Sequence, residues 1–354
     1  MVRYLSPMTL TRIAHALIIL IAVVLILSFT KDILLPFVLA VIIWYLIRQV
    51  QVLVRRIHIG GKELPQWVRG TVSFLTIFLV LGMVTSLLAA NIAGITEVLP
   101  EYEANLLLVK QRIEASTNVD IMGYLDRTSN GFDIAGIITR LLNSLTTLFG
   151  NAFLVVIYVA FLMLEERHAK MKFQAWYLGS GKGERTADII RQVDQALSKY
   201  LTLKTAVSVV TGVLSYIALL IIGVDFAFFW AFVIFLLNYI PTIGSLVATV
   251  FPALIAALQF ASFGPALWVL GVVGSIQMLV GNFLEPRLMG NSLNVSSLVV
   301  ILSLAFWGSL WGIVGMILSV PITVMMVIVL AQFPTTRWVA VLLSDKGQVG
   351  TNGE

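Results

Sequence analysis

The chain has 354 residues, of which 59% are hydrophobic and 12% charged, with a net charge of +5 and a mean hydropathy of +0.98. Soluble domains are about 45–50% apolar and about 25% charged, so this composition excludes a soluble globular protein and points to an integral membrane protein. The absence of cysteine excludes a disulfide framework, a thiolate metal site and a cysteine nucleophile.

The apolar runs are long and continuous rather than alternating, as membrane helices require and a β-barrel does not. A first span is expected over residues 13–30 and, with no small-residue cleavage site after it, is read as a retained helix rather than a signal peptide. A very short turn leads to a second span, 33–47, and then to a loop carrying Arg48, Arg55, Arg56 and Lys62. A third span is expected over 68–90, a polar insertion over 91–145, a fourth span over 146–164, a charged connector over 165–204 and a fifth span over 205–222. Lys and Arg accumulate in cytoplasmic loops, so the basic loops after the second and fourth spans belong inside with both termini, and the insertion faces outward.

Two stretches outside the spans have one apolar helical face. Leu99, Tyr102, Leu106, Val109 and Ile113 recur at steps of three and four, while Glu97, Glu101, Lys110 and Glu114 fall off that face. An amphipathic helix lying on the membrane, on a neighbouring subunit or on its own bundle fits this pattern. Ile190, Val193, Leu197 and Tyr200 mark a similar face on the connector.

The C-terminal half is apolar but interrupted. Only about a dozen residues precede Asn238; Pro241, Thr242, Gly244 and Ser245 then mark a break, and a second run carries Pro252. After an ordinary span over 265–284, the plan recurs: a short run, a tip at Trp307, Gly308, Ser309, Trp311 and Gly312, then a run carrying Gly315 and Pro321. A dozen helical residues cover roughly 18–20 Å against a hydrocarbon core of about 30 Å, so each pair is either a re-entrant hairpin or two spans joined by a tight loop. Paired interruptions of this kind point to a transport site. The candidates for the solute or ion pathway are Asn238, Pro241, Thr242, Gly244, Ser245, Asn282, Trp307, Gly308, Ser309 and Trp311; Pro252, Pro286, Gly290, Gly312, Gly315 and Pro321 are candidate hinges. The two tryptophans fit either an interfacial aromatic belt or a stacking surface.

One acid and one base stand alone in this expanse. Glu285 and Arg287 flank Pro286, with no other charge between Asp225 and Arg337. Counting spans puts them at the inner end of the span over 265–284, where Pro286 is expected to end the helix and the two charges to form a gating or structural pair.

Enzyme signatures are absent. "GSGKGERT" at 179–186 fails as a phosphate loop, because Trp176 stands where its first glycine is needed and Gly183 where Ser or Thr must follow the lysine. His15, His58 and His168 are scattered without metal-ligand spacing. No metal, cofactor or nucleic-acid partner is expected, and active transport would draw on an ion gradient.

"ALSKYLTLKTAVSVVTG", "FLLNYIPTIGSLVA", "GNFLEPRLMG" and "FWGSLWGIVGMILSVPI" resemble segments of the autoinducer-2 exporter family of bacterial inner-membrane proteins. The likeness covers nearly the whole chain and is most specific after about residue 195. It implies an all-α polytopic protein with about eight membrane segments, a core built from the last four, export of the quorum signal autoinducer-2 and a homo-oligomer such as a pentamer. It also implies an alternative, since some relatives are associated with sodium/proton antiport. On this reading residues 1–90 are a membrane scaffold, 91–145 an outer insertion, 146–204 the fourth span and connector, 205–333 the transport core and 334–354 a cytoplasmic tail. A secondary transporter exporting a small polar solute follows; a cation/proton antiporter and a passive channel or membrane organiser are the alternatives.

Overall fold

The computed structural model describes residues 7–56, 58–59, 62–117, 136, 150, 152–179, 183–289 and 294–347. Helix α1 (Pro7–Phe29) turns at Thr30 into α2 (Lys31–Val54). A small antiparallel pair follows, β1 (His58–Ile59) with β2 (Lys62–Glu63), a feature that an all-α reading omits. The next helices are α3 (Gln66–Thr117), α4 (Ala152–Gly179) and α5 (Gly183–Ile222). The C-terminal half comprises α6 (Ala227–Leu237), α7 (Ile243–Gln259), α8 (Phe263–Leu279), a π-helical turn (Val280–Leu284), α9 (Glu285–Met289), α10 (Ser297–Ala331) and α11 (Arg337–Leu343).

Five helical stretches among the described residues are long and apolar enough to cross a membrane: Lys31–Val54, Gln66–Val109, Thr186–Ile222, Phe263–Met289 and Ser297–Ala331. Leu17–Phe29, Ala227–Leu237 and Ile243–Gln259 are apolar but shorter. The chain is thus a multi-span helical membrane protein.

Helix α3 departs most from expectation. The third span and the amphipathic segment are one unbroken helix of 52 residues, about 78 Å long. Leu88, Ile95, Tyr102 and Val109 are all buried, at seven-residue intervals, with Ile92, Leu99 and Leu106 packed beside Leu88, Ile95 and Tyr102 in the core. That continuous seam carries the helix through Pro100, where one backbone hydrogen bond is lost. The amphipathic face therefore packs on its own bundle; Ile113 and most of the insertion, 118–135 and 137–149, lie outside the residues whose packing is described. Similarly, connector and fifth span form one helix, α5, whose Val193, Leu197 and Tyr200 pack with Tyr45, Met289 and Val324 while Ile190 stays exposed.

The main core surrounds α6. Seven of its eleven residues are buried, including Phe229, Trp230 and Ile234, as expected of a helix that is apolar all round. Helices α3, α5, α7 and α8 supply the neighbours, while Leu304, Ile313, Met316 and Ile317 of α10 close the cluster.

Candidate functional site

Each sequence interruption is a sharp helix–break–helix turn built with the same device. At the first, α6 ends at Leu237 and α7 begins at Ile243, with Thr242 between them at φ 60°, ψ −60°. A positive φ is strained for a β-branched residue, and such strain gathers at functional turns. A Cβ on Gly244 would lie 1.8 Å from the Leu237 carbonyl oxygen. At the second, Gly312 breaks α10 at φ 61°, ψ −141°, and a Cβ on Gly315 would lie 1.9 Å from the Trp307 carbonyl oxygen. In both places the chain folds back so closely that only glycine fits. Pro252 and Pro321 are buried inside the returning helices.

The two tips are tied to different elements. The Asn238 amide, buried, donates to Ser208 Oγ of α5 at 3.0 Å. Thr205 gives its proton to the Leu201 carbonyl, so the Tyr239 hydroxyl donates to Thr205 Oγ1, 2.7 Å away. At the other tip Trp311 Nε1 donates to the Leu27 carbonyl of α1 at 3.0 Å. Trp307 and Trp311 are buried against Leu27, Leu34, Leu35 and Val38. They neither form an exposed belt nor present a stacking face; Trp311 pins α1.

The open ends of the two helix–break–helix units lie towards opposite ends of α5. Gln259, at the end of α7, accepts from the Asp225 amide at 2.8 Å and donates to the Gly223 carbonyl at 2.9 Å, just beyond the C-terminus of α5. Tyr102 of α3 donates to Asp225 Oδ2 at 2.8 Å. The end of α10 instead meets the N-terminal half of α5, where Gln332 donates to Gln192 at 3.3 Å.

Glu285 does not pair with Arg287. Two residues apart on a helix, the two side chains diverge by about 200°. Lys204 Nζ of α5 donates to Glu285 Oε1 at 2.5 Å; the lysine side chain is 5% exposed and the carboxylate 24%, while Arg287 faces outward. Nor does Pro286 end the helix. The path continues to Met289 through the π turn, in which the Glu285 amide donates to the Val280 carbonyl. The wider turn has already displaced the regular bonding pattern, so the proline's missing N–H is tolerated there.

Lys204 opens a polar line that runs up α5. Lys204, Ser208, Thr211 and Ser215 stand at i, i+4, i+7 and i+11, and all four are buried. One helical face of an otherwise apolar span is therefore polar and turned inward. Thr211 donates to the Val207 carbonyl, and Ser208 receives Asn238. Ser215 Oγ, Trp230 Nε1 and Gln277 Nε2 are buried without a hydrogen-bond partner, an uncommon condition that marks these atoms for explanation. Measured along the helices from the Lys204–Glu285 and Asn238–Ser208 contacts, all three lie roughly 12–18 Å from that ion pair, towards the far end of α5.

Of the other candidates, Asn282 is exposed in the π turn, Ser309 is exposed and donates to the Phe306 carbonyl, Ser245 donates to the Thr242 carbonyl, and Gly308 lies against Met316. Pro241 is half-buried at the first tip, and Gly290 lies outside the described residues. Among the described residues no group of three His, Asp or Glu side chains is placed to hold a metal.

A family model described as the AI-2E family transporter matches residues 17–335. The AI-2 transport protein TqsA of Escherichia coli K12 is 38% identical over 323 residues, covering 90% of this chain and 91% of that protein. A Haemophilus influenzae protein, provisionally named a transport protein, is 36% identical over 303 residues, covering 80% and 83%. The E. coli protein YhhT, provisionally named likewise, is 39% identical over 185 residues, about half of each chain. With its multi-span helices and this match over most of its length, the chain belongs to the AI-2E family of membrane transporters.

Proposed function

We propose that this protein exports a small polar solute, autoinducer-2 above all, by a secondary mechanism in the inner membrane. The observation that carries the reading is the buried polar line from Lys204 to Ser215, faced by Asn238 and closed at one end by Glu285. An apolar protein in an apolar solvent has little reason to bury a charged pair and a row of hydroxyls unless something polar passes or binds there. The resemblance of TqsA to this chain supports autoinducer-2 as the solute.

In this reading the two helix–break–helix units are re-entrant hairpins entering from opposite faces, within a fold of about eight membrane segments and cytoplasmic termini. Helix rise counted from Asn238–Ser208 and Gln332–Gln192 supports it, putting the tips roughly 6 Å and roughly 12 Å beyond Lys204 along α5. The tips, with strained Thr242 and the glycine break at Gly312, are the moving parts; the Lys204–Glu285 pair is the inner lock, in place of a Glu285–Arg287 gate. The exposed apolar faces of α1 and α3 suit lipid or further copies of the chain in an oligomer, a pentamer by family resemblance.

Cation/proton antiport is the second reading, favoured by the ion pair at the end of the polar line. Purified protein in liposomes decides between them. Autoinducer-2 efflux that responds to an imposed proton or sodium gradient is expected. Sodium/proton exchange that is lost in Glu285→Gln, without autoinducer-2 flux, would replace the first reading by the second; flux blind to every ion gradient would make the protein a channel.

A further inference from the structure

The arginines at the inner ends of α2 and α3 form a pocket that neither the polar line nor the hairpins use. A cavity of about 260 Å³ opens between α2, α3 and α5, lined by Arg48, Arg55, Arg69, Gln51, Gln66 and Ser198 among others, and no carboxylate is among its described lining residues. Arg48 is the structural member. It donates to Asp194 at 2.7 Å, approaches Glu166 at 4.0 Å and stacks 4.9 Å from the Trp44 ring, joining α2, α4 and α5. Gln49 donates to Ser198 Oγ at 2.7 Å and closes one wall. Arg55 and Arg69 approach from two different helices. Both have partners within the chain, but a guanidinium carries five donors, and two of them converging suit the tetrahedral oxygens of a phosphate.

The surroundings are those of a membrane interface. Trp67, beside the pocket in sequence, is 74% exposed, as for an aromatic anchor at headgroup level. Beyond it α3 presents Val72, Leu75 and Leu79, and α2 presents Val52 and Leu53, all exposed and apolar. A ligand with a phosphate in the pocket would therefore have its acyl chains lie along those faces.

We propose that this pocket binds the phosphate of an anionic phospholipid headgroup from the inner leaflet, where such lipids meet basic clusters flanking membrane helices. The site wedges the ends of α2 and α3 against α5, so an occupied pocket stiffens the cytoplasmic half of the helix that bears the polar line.

The test uses the full chain in detergent, with short-chain phosphatidylglycerol, short-chain phosphatidylcholine and inorganic phosphate as probes, read by native mass spectrometry and by melting temperature. Phosphatidylglycerol is expected to bind at least tenfold more tightly than phosphatidylcholine and to raise the melting temperature. Arg55→Gln with Arg69→Gln should remove that preference; Arg55→Lys with Arg69→Lys should keep the fold and part of the binding; Lys172→Gln with Arg191→Gln, the same loss of charge elsewhere, should change nothing. Arg55→Gln alone, at an exposed helix end, serves should the double variant fold poorly, and should weaken binding severalfold. Unchanged preference in Arg55→Gln and in the glutamine pair would overturn the site. Inorganic phosphate that reproduces the melting shift or displaces the lipid at millimolar concentration would overturn the lipid assignment.

Discussion

Lys204 and Glu285 are 81 residues apart in sequence and 2.5 Å apart in space, with the lysine almost wholly enclosed. They join the middle of α5 to the π turn that leads out of α8. Removing one member leaves the other buried and unpaired, which costs about 3–5 kcal/mol, whereas replacing both by apolar residues costs far less. Glu285→Gln and Lys204→Met should each lower the melting temperature sharply. The combination Lys204→Met with Glu285→Leu should recover most of it while transport stays lost. A double variant that transports normally would demote the pair to a structural pin.

The orphaned donors separate function from folding more cleanly. Gln277 Nε2 has no partner, so Gln277→Leu removes an unsatisfied polar group from the core. Stability should hold or rise by about 1 kcal/mol. Autoinducer-2 flux in liposomes should nevertheless fall at least severalfold. Unchanged flux in this variant and in Ser215→Ala would remove this level of the bundle from the solute path.

The paired glycines predict matched failures. Gly244→Ala and Gly315→Ala each drive a methyl group into a backbone carbonyl, at 1.8 Å and 1.9 Å, and something other than a side chain must move. Each should cost at least about 2–3 kcal/mol, the range of severe overpacking, and abolish transport. Gly271→Ala is the control: nothing lies within 4 Å of the position its methyl group would take, and a helical alanine should be neutral or slightly stabilising. Thermal unfolding of the purified variants reads all three.

Trp311 offers a graded test of the anchor between α1 and the second tip. Trp311→Phe keeps an aromatic ring in the cluster with Leu27 and Val38 but removes the donor to the Leu27 carbonyl together with part of the buried ring volume. About 1–3 kcal/mol should be lost, the hydrogen bond and the vacated volume together. A paired-cysteine cross-link between α1 and the tip should form less completely in that variant than in the parent.

Much of the architecture can be read from hydropathy because a membrane span needs a long apolar run and little else. The breaks are equally legible, since Pro241, Gly244, Gly312 and Gly315 leave few alternatives. Pairing is harder. Glu285 and Arg287 are neighbours in the chain, but helix geometry separates them, and the partner of Glu285 is Lys204, which in sequence reads as the end of a basic connector. The polar line has a visible signal, the spacing of Lys204, Ser208, Thr211 and Ser215; it is masked because each residue alone looks like ordinary small polar content in a span. The unbroken course of α3 is hidden by its polar outer residues and Pro100, although Leu88 and Ile95 extend the seam of Tyr102 and Val109 backwards at the same interval. A π turn at Val280–Leu284 has no local sequence rule that would announce it.

The length of α3 has a mechanical consequence. A straight rod of 52 residues, about 78 Å long, that tilts by about 5° about one end swings its other end by roughly 7 Å. Tyr102 couples this rod to Asp225 in the turn between α5 and α6, and Gln66 and Arg69 stand near its opposite end. Such a tilt about the Thr117 end would carry a small displacement at Tyr102 to Gln66 and Arg69 as a larger one, so the two ends of α3 are mechanically linked through the seam that holds it.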